Sequence, residues 1–279
     1  MKNYGNIDTF FRYPRTRHIE GSAFQDGDYD LDAVPFEQIK GRHIVVEEKV
    51  DGSQVGISFS NELNSLLQSR GHYLTGGPRE KQFELLKQWF SVHSDALLNV
   101  LEDKYVMYGE WLYAKHTVFY DNLPHYFMEF DIFDKETKQF LDTHRRFELL
   151  KKLPIVPVLV LWEGEVNKIE DITIWLGLSF FKTDRCNDVL VEYCKTHGLD
   201  AEKVMKETSS SRLMEGLYIK VEEDGIVKER YKYVRGDFLQ AIKDSDSHWL
   251  SRPIVPNILD PNARLYQLDA KLYQLGDEI

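Results

Sequence analysis

Apolar and polar residues alternate or cluster along the chain in ways that mark out its elements. The runs "HIVVEEKV" and "SQVGISFS" read as two strands joined through Asp51-Gly52, the junction fitting an Asp-Gly hairpin turn. "NSLLQSRG" reads as a third strand after a polar turn at 60–64. Over 79–101, Phe83, Leu86, Trp89 and Phe90 recur at helical spacing, the signature of a helix whose aromatic face packs in a core. "KYVMYGEWLYA" and "HYFMEFDIFD" are rich in β-favouring and aromatic residues and read as central strands. From 143 to about 210 the pattern turns helical, notably in "THRRFELLKKL" and in "CNDVLVEYCKTHG", which begins beside Asp184 and stops at Gly198. "EGLYIKVEEDGIVKERYKYVR" is a hairpin by its own signals, with alternation on both arms and a Glu-Asp-Gly turn at 223–225.

After Arg235 the chain begins with the helix-like "GDFLQAIKD" and ends in a polar, Pro-punctuated stretch. That tail is too short, and too helical at its start, for a five-stranded OB-fold. The expected organisation is an α+β domain over residues 1–235 and a short helical extension over 236–279, with no linker or repeat between them.

Composition narrows the class. With 279 residues, 42% hydrophobic and 13% aromatic, the chain can bury a sizeable core. No apolar run approaches the roughly 20 residues of a membrane span, and the start "MKNYGNIDTFFRYPRTRH" lacks signal-peptide character, so a cytoplasmic protein without a membrane partner is expected. Cys186 and Cys194 lie eight apart in a helical segment, about 12 Å along its axis, too far to bridge. A net charge of −11 argues against non-specific coating of nucleic acid, whose affinity rests on phosphate neutralisation. A local basic groove is still open to such a chain. Three basic segments with interleaved aromatics or histidine, "FRYPRTRH", "SRGHY" and "VKERYKYVR", are candidates for it, although each alone also reads as solvated surface.

The chemistry gathers around Lys49, which ends an apolar run with Glu47 and Glu48 ahead of it and Asp51-Gly52 behind. A solvated lysine at a strand end fits the bare pattern. So does a nucleophile toward phosphorus, held on a strand beside a turn that leaves room for a nucleotide. Further pieces follow in order: Ser69-Arg70-Gly71, Tyr108-Gly109-Glu110-Trp111, Phe130-Asp131-Ile132, Glu215-Gly216-Leu217-Tyr218-Ile219-Lys220 and Arg230-Tyr231-Lys232. Together, over about residues 40–235, they resemble the covalent nucleotidyltransferase superfamily of polynucleotide ligases and capping enzymes. Within it the chain is most similar to ATP-dependent RNA ligases of the RNA ligase 2 type.

The resemblance implies a nucleotidyltransferase domain with ATP bound between antiparallel sheets, AMP carried on Lys49, and Mg²⁺ or Mn²⁺. It implies nucleotide contacts from Asp51 and Gly52, and from an acid just ahead of the lysine that accepts from the adenine amino group. Strand alternation puts Glu47 on the Lys49 face and Glu48 on the other, which favours Glu47 while leaving both open. Arg70 is implied at the ribose or the donor 5′-phosphate, Glu110 at the ribose and metal water shell, and Phe130 stacked on the adenine. The faces taken by Phe127 and Glu129 beside Phe130 are open. Glu215 is the implied metal ligand. Lys220, Arg230 and Lys232 would converge near it as cations for the α-phosphate and pyrophosphate, Lys232 foremost. Members of the family usually carry Lys-x-Lys where this chain has Arg230-x-Lys232. Arg15 and Arg17, ahead of the domain, are expected to hold RNA or ATP phosphates, since an acidic protein needs a concentrated basic surface to attract a polyanion.

The reaction implied is the joining of RNA 3′-OH and 5′-phosphate ends in RNA repair, with an end-healing kinase or phosphatase as a partner. A DNA ligase, a GTP-using capping enzyme and a catalytically inactive nucleotide- or RNA-binding protein are the alternatives.

Overall fold

A computed structural model describes residues 9–24, 33–238 and 253–263. Its elements are β1 (Arg17–His18), β2 (His43–Lys49), β3 (Ser53–Phe59), β4 (Ser65–Ser69), α1 (Glu84–Leu101), β5 (Tyr105–Trp111), β6 (Phe127–Asp134), β7 (Gln139–Phe140), α2 (Thr143–Leu150), β8 (Val156–Pro157), β9 (Val160–Glu165), α3 (Glu170–Thr173), α4 (Cys186–Thr196), α5 (Ala201–Lys206), β10 (Gly216–Glu223) and β11 (Ile226–Val234). They form an α+β fold with two sheets. The first runs β1-β11-β10-β2-β9; the second runs β4-β3-β5-β6-β7 with β8 beside β6. Pairing is antiparallel except at β1/β11 and β6/β8.

Each sheet has one apolar face. Leu86, Trp89, Phe90 and Leu97 of α1 pack on Val55, Ile57, Met107 and Ile132 of the second sheet, as the helical spacing requires. Ile44, Val46, Leu217, Ile219 and Val221 turn the opposite way on the first sheet, onto Ile172 and Met214. The other face of the first sheet carries Glu47, Lys49, Lys220 and Lys232, and that of the second holds a smaller apolar cluster with Val106 and Tyr108.

Most predicted elements form, with two departures. First, β2 and β3 do not make a hairpin: they belong to different sheets, and Asp51-Gly52 carries the chain from one to the other. Gly52 is needed there for lack of space, because a Cβ would lie 2.6 Å from the Trp111 carbonyl oxygen and 2.8 Å from Leu112. Second, β8 and β9 interrupt the region read as helical, and β9 pairs with β2. Its side chains are only half-buried or exposed, so it lacks the alternation by which a strand is recognised. Of the predicted C-terminal helix only Gly236 to Phe238 lie within the described residues, as a helical turn, and the rest lies outside them. The later described stretch of the tail, residues 253–263, is non-helical and is tied to the domain: Asn257 Oδ1 accepts from the Tyr120 N–H and Asn257 Nδ2 donates to the Leu112 carbonyl. The 223–225 turn is as expected, with Asp224 and Gly225 at φ 56° and 78°. Cys186 and Cys194 are free and buried. Among the described residues no helix is long and apolar enough to cross a membrane.

Candidate active site

Register places the chemistry on the inward face of the first sheet. Glu47 lies opposite Tyr218 and Lys49 opposite Gly216, while Lys232 lies opposite Tyr218 and Arg230 opposite Lys220. Successive odd positions of β2 and even positions of β10 and β11 therefore point the same way. Between this face and the second sheet is a cavity of about 750 Å³, within the usual range for a small-molecule site. Lys49, Glu47, Glu215 and Lys232 line it from the first sheet and its flank, and Gly52, Arg70, Glu110 and Phe130 from the second. The three basic segments meet here, through Arg15 and His18, Arg70 and His72, and Lys232. Arg17 does not line the cavity; it is exposed on β1.

Lys49 is one-quarter exposed, and its Nζ donates to Glu215 Oε1 at 2.6 Å. Burial would lower the lysine, but Glu215, Asp51 and Glu110 outweigh it and hold the ammonium above its ordinary range. Burial pushes Glu215 up to about 7 against the opposing pull of Lys49. Burial also raises Glu110 to about 8, with Asp51 and Glu215 adding to the rise and Lys49 opposing it. Glu110 Oε1 accepts the Gly52 N–H at 3.0 Å. Asp51 Oδ2 is taken by the N–H groups of Thr117 and Val118 at 2.7 and 2.8 Å, which locks the crossover segment to the loop after β5.

The donor set suits a hard divalent cation that takes only part of its shell from protein. Glu215 Oε2 is buried and has no hydrogen-bond partner. Glu110 flanks the same lysine. No group of three or more His, Cys, Asp or Glu residues is arranged to hold a metal among the described residues. One or two carboxylates completed by phosphate and water is how magnesium is ordinarily held.

Two residues expected at the phosphates are placed elsewhere. Lys220 is fully buried, donating to Glu47 Oε1 at 2.9 Å and to the Phe130 carbonyl. The Arg230 Nε donates to Asp131 Oδ2 at 2.8 Å, and its guanidinium lies 3.7 Å over the Phe140 ring. Neither lines the cavity. Buried acids capture both cations, and of the trio Lys220, Arg230 and Lys232 only Lys232 reaches the pocket. Glu47 and Glu48 both border it. Glu48 turns outward, as alternation predicts, to accept from Ser179 Oγ at 2.6 Å and from the Phe180 N–H at 3.2 Å. Phe127 joins the core under α1, whereas Glu129 faces Arg146 at 3.4 Å.

Sequence reasoning missed Tyr13, Thr16, His116 and Gln82, which also line the cavity. Tyr13 and Thr16 sit inside "FRYPRTRH", where attention went to the cations. His116 and Gln82 flank Ser53 Oγ at 3.3 and 3.4 Å, and nothing local in the sequence marks them.

Comparison with solved structures supports the same architecture. The chain is similar to Naegleria gruberi RNA ligase, as a variant with ATP and Mn (TM-score 0.50, 20% identity, 75% of this chain and 53% of that chain). It is similar to the same enzyme as an apo variant (TM-score 0.50, 20% identity, 75% and 53%) and as a variant with AMP and Mn (TM-score 0.50, 20% identity, 75% and 54%). The chain thus spans about half the length of those structures, and at such identity the likeness is one of fold. No curated protein matches it in sequence. The family model described as RNA ligase matches residues 42–234, a span that holds β2 through β11 and every cavity-lining motif from Glu47 to Lys232, and the chain belongs to the RNA ligase family.

Proposed function

We propose that this protein is an ATP-dependent RNA ligase that joins 3′-OH and 5′-phosphate RNA ends, in RNA repair, with residues 1–235 as the adenylyltransferase unit and Lys49 as the nucleophile. The observation that carries the reading is Lys49 at a strand end inside the cavity, paired at 2.6 Å with a Glu215 whose second oxygen has no partner. The ATP or AMP and Mn in the Naegleria structures support a nucleotide and a divalent ion as its co-reactants.

The Lys49 amine attacks the α-phosphorus of ATP, forms a P–N bond, loses a proton and expels pyrophosphate. The AMP then passes to the RNA 5′-phosphate, and the 3′-hydroxyl displaces it to form the phosphodiester. For the first step the ammonium must become an amine. Glu215 opposes this while ionised, so neutralising Glu215 is part of what a bound substrate has to accomplish. A divalent ion held by Glu215 and Glu110 would supply positive charge at the phosphates. Lys232 stabilises charge developing on the α-phosphate, Arg70 holds ribose or 5′-phosphate, and Phe130 offers a face for base stacking. Glu47 lines the cavity, and its Oε2 is buried without a hydrogen-bond partner, which makes Glu47 the better acceptor for an adenine amino group than the engaged Glu48. Lys220 and Arg230 act from behind the wall by holding Glu47 and Asp131.

The test is labelling with α-labelled ATP and GTP, followed by sealing of nicked and free RNA and DNA ends. An adduct with ATP alone and sealing of RNA 3′-OH ends is expected. An adduct with GTP would favour the capping reading, and no adduct with either would favour a binding protein.

A further inference from the structure

In and behind the cavity wall lie six ionisable side chains: the acids Glu47 on β2, which lines the cavity, and Glu129 and Asp131 on β6, against the bases Arg146 on α2, Lys220 on β10 and Arg230 on β11. The first five are essentially inaccessible, and Arg230 is one-tenth exposed. Such a cluster is an expensive way to fill a core, since desolvating paired ions often outweighs their attraction. Its charges balance, but that does not explain why it is ionic. What it holds does.

Arg146 alone among the six comes from outside the two sheets. Helix α2 starts on Asp142, whose side chain accepts the Arg145 N–H, and is fastened to β10 by Glu222, which accepts the Thr143 hydroxyl at 2.7 Å. From that anchored turn the guanidinium donates through Nη1 to the Phe130 carbonyl and through Nη2 to Glu47 Oε1 at 3.3 Å, while its Nε lies 3.4 Å from Glu129 Oε1. Lys220 converges on the same Glu47 oxygen and the same carbonyl. The two acceptors belong to Glu47 and Phe130, both of which line the cavity, and Glu47 is left with Oε2 for a donor.

We infer that Arg146 is a positioning residue for nucleobase selection: it fixes the Glu47 carboxylate and the Phe130 backbone so that the cavity offers a rigid acceptor to a base carrying an amino group. This rests on the proposed nucleotide site. Both cations bond the same two acceptors, but the planar Arg146 fork fixes the direction of its donors, whereas the Lys220 ammonium rotates about its stem and alone lets the carboxylate turn. Adenine presents an amino donor where guanine presents a carbonyl oxygen. Loosening Glu47 therefore penalises adenine and relieves repulsion of guanine.

The experiment uses the full chain and two variants. Arg146→Lys keeps the charge and loses the fork. Arg146→Met with Glu129→Gln removes one base and one acid, leaving two of each, so that it remains folded if balance is what the fold needs. Equilibrium binding of α,β-methylene-ATP and α,β-methylene-GTP is measured with thermal melting alongside. Both variants should bind the ATP analogue at least tenfold more weakly, with the ATP-over-GTP ratio falling by a similar factor and melting changed little in the double variant. A folded double variant with unchanged discrimination overturns the inference, as does an equal loss for both nucleotides that tracks falling stability. Selective binding of the ATP analogue that depends on Arg146, in a protein that forms no AMP adduct, would overturn the ligase reading and leave this inference standing.

Discussion

Lys49 sits where a resting pocket keeps it protonated, between Glu215, Asp51 and Glu110, and removing it should divide the reaction in two. Lys49→Ala is expected to form no AMP adduct with labelled ATP. It should still seal some chemically pre-adenylated RNA, because that substrate brings the activated phosphate with it. Labelling of the alanine variant would move the nucleophile elsewhere. Lys232→Ala should slow adduct formation by about 2–4 kcal/mol of barrier, the usual cost of losing a preorganised charge at a developing oxyanion, with melting nearly unchanged. Arg230→Lys restores the family's usual Lys-x-Lys and reads from the sequence as a mild change, yet the structure makes it costly. Arg230 is bonded to Asp131 and laid over Phe140, so lysine there forfeits the planar stack and should lower stability by roughly 1–3 kcal/mol more than it lowers the rate. Denaturant unfolding and single-turnover labelling on the same samples separate the two.

At the scale of elements, the segment from Thr9 to Phe24 lies ahead of the family-matched region and crosses from the second sheet to the first. The Phe11 carbonyl accepts from Tyr108 and Gln68, Tyr13 donates to Asp131 at 2.5 Å, Thr16 pairs with Tyr218, and β1 runs parallel beside β11. The sequence reads this stretch as a phosphate-binding arm, whose loss would weaken RNA sealing more than stability. Its burial says otherwise, since Tyr13 and His18 are 7% and 1% exposed. Deleting residues 1–18 should therefore lower the melting temperature sharply, and Tyr13→Phe, which leaves the buried Asp131 short of a donor, should cost about 1–3 kcal/mol. Arg15→Ala tests the electrostatic role without that damage: the RNA concentration for half-maximal sealing should rise, with a shallower salt dependence, and melting should hold.

For the whole molecule, buried carboxylates tie stability to pH. Burial raises Glu48 to about 7, opposed by its bonds to Ser179 and Phe180, against about 4.3 in an unfolded chain. Its stabilising contribution is complete below the unfolded value and is lost as pH rises through 7. Glu48→Gln cannot ionise, so its stability relative to the parent should climb between pH 5 and pH 8, by at most on the order of 3 kcal/mol. A difference independent of pH would mean that Glu48 titrates alike in both states. The sequence by itself determined the strands that carry Lys49, Glu110, Phe130 and Lys232, the core helix, the terminal hairpin and the family's order of motifs, because alternation, helical spacing and Asp-Gly turns are local and repeat within a few residues. Only the tertiary structure decided that Asp51-Gly52 is a crossing between sheets, since a hairpin and a crossing begin with the same residues and differ in which distant strand accepts the backbone hydrogen bonds. It likewise decided that Lys220 and Arg230 face the cavity's direction without entering it. Their alternation is legible in the sequence, but the acids that capture them come from β2 and β6, and Arg146 from a helix whose role no spacing reveals. Direction is a property of the strand; which charge stays available to a substrate depends on every buried charge that the fold brings within reach.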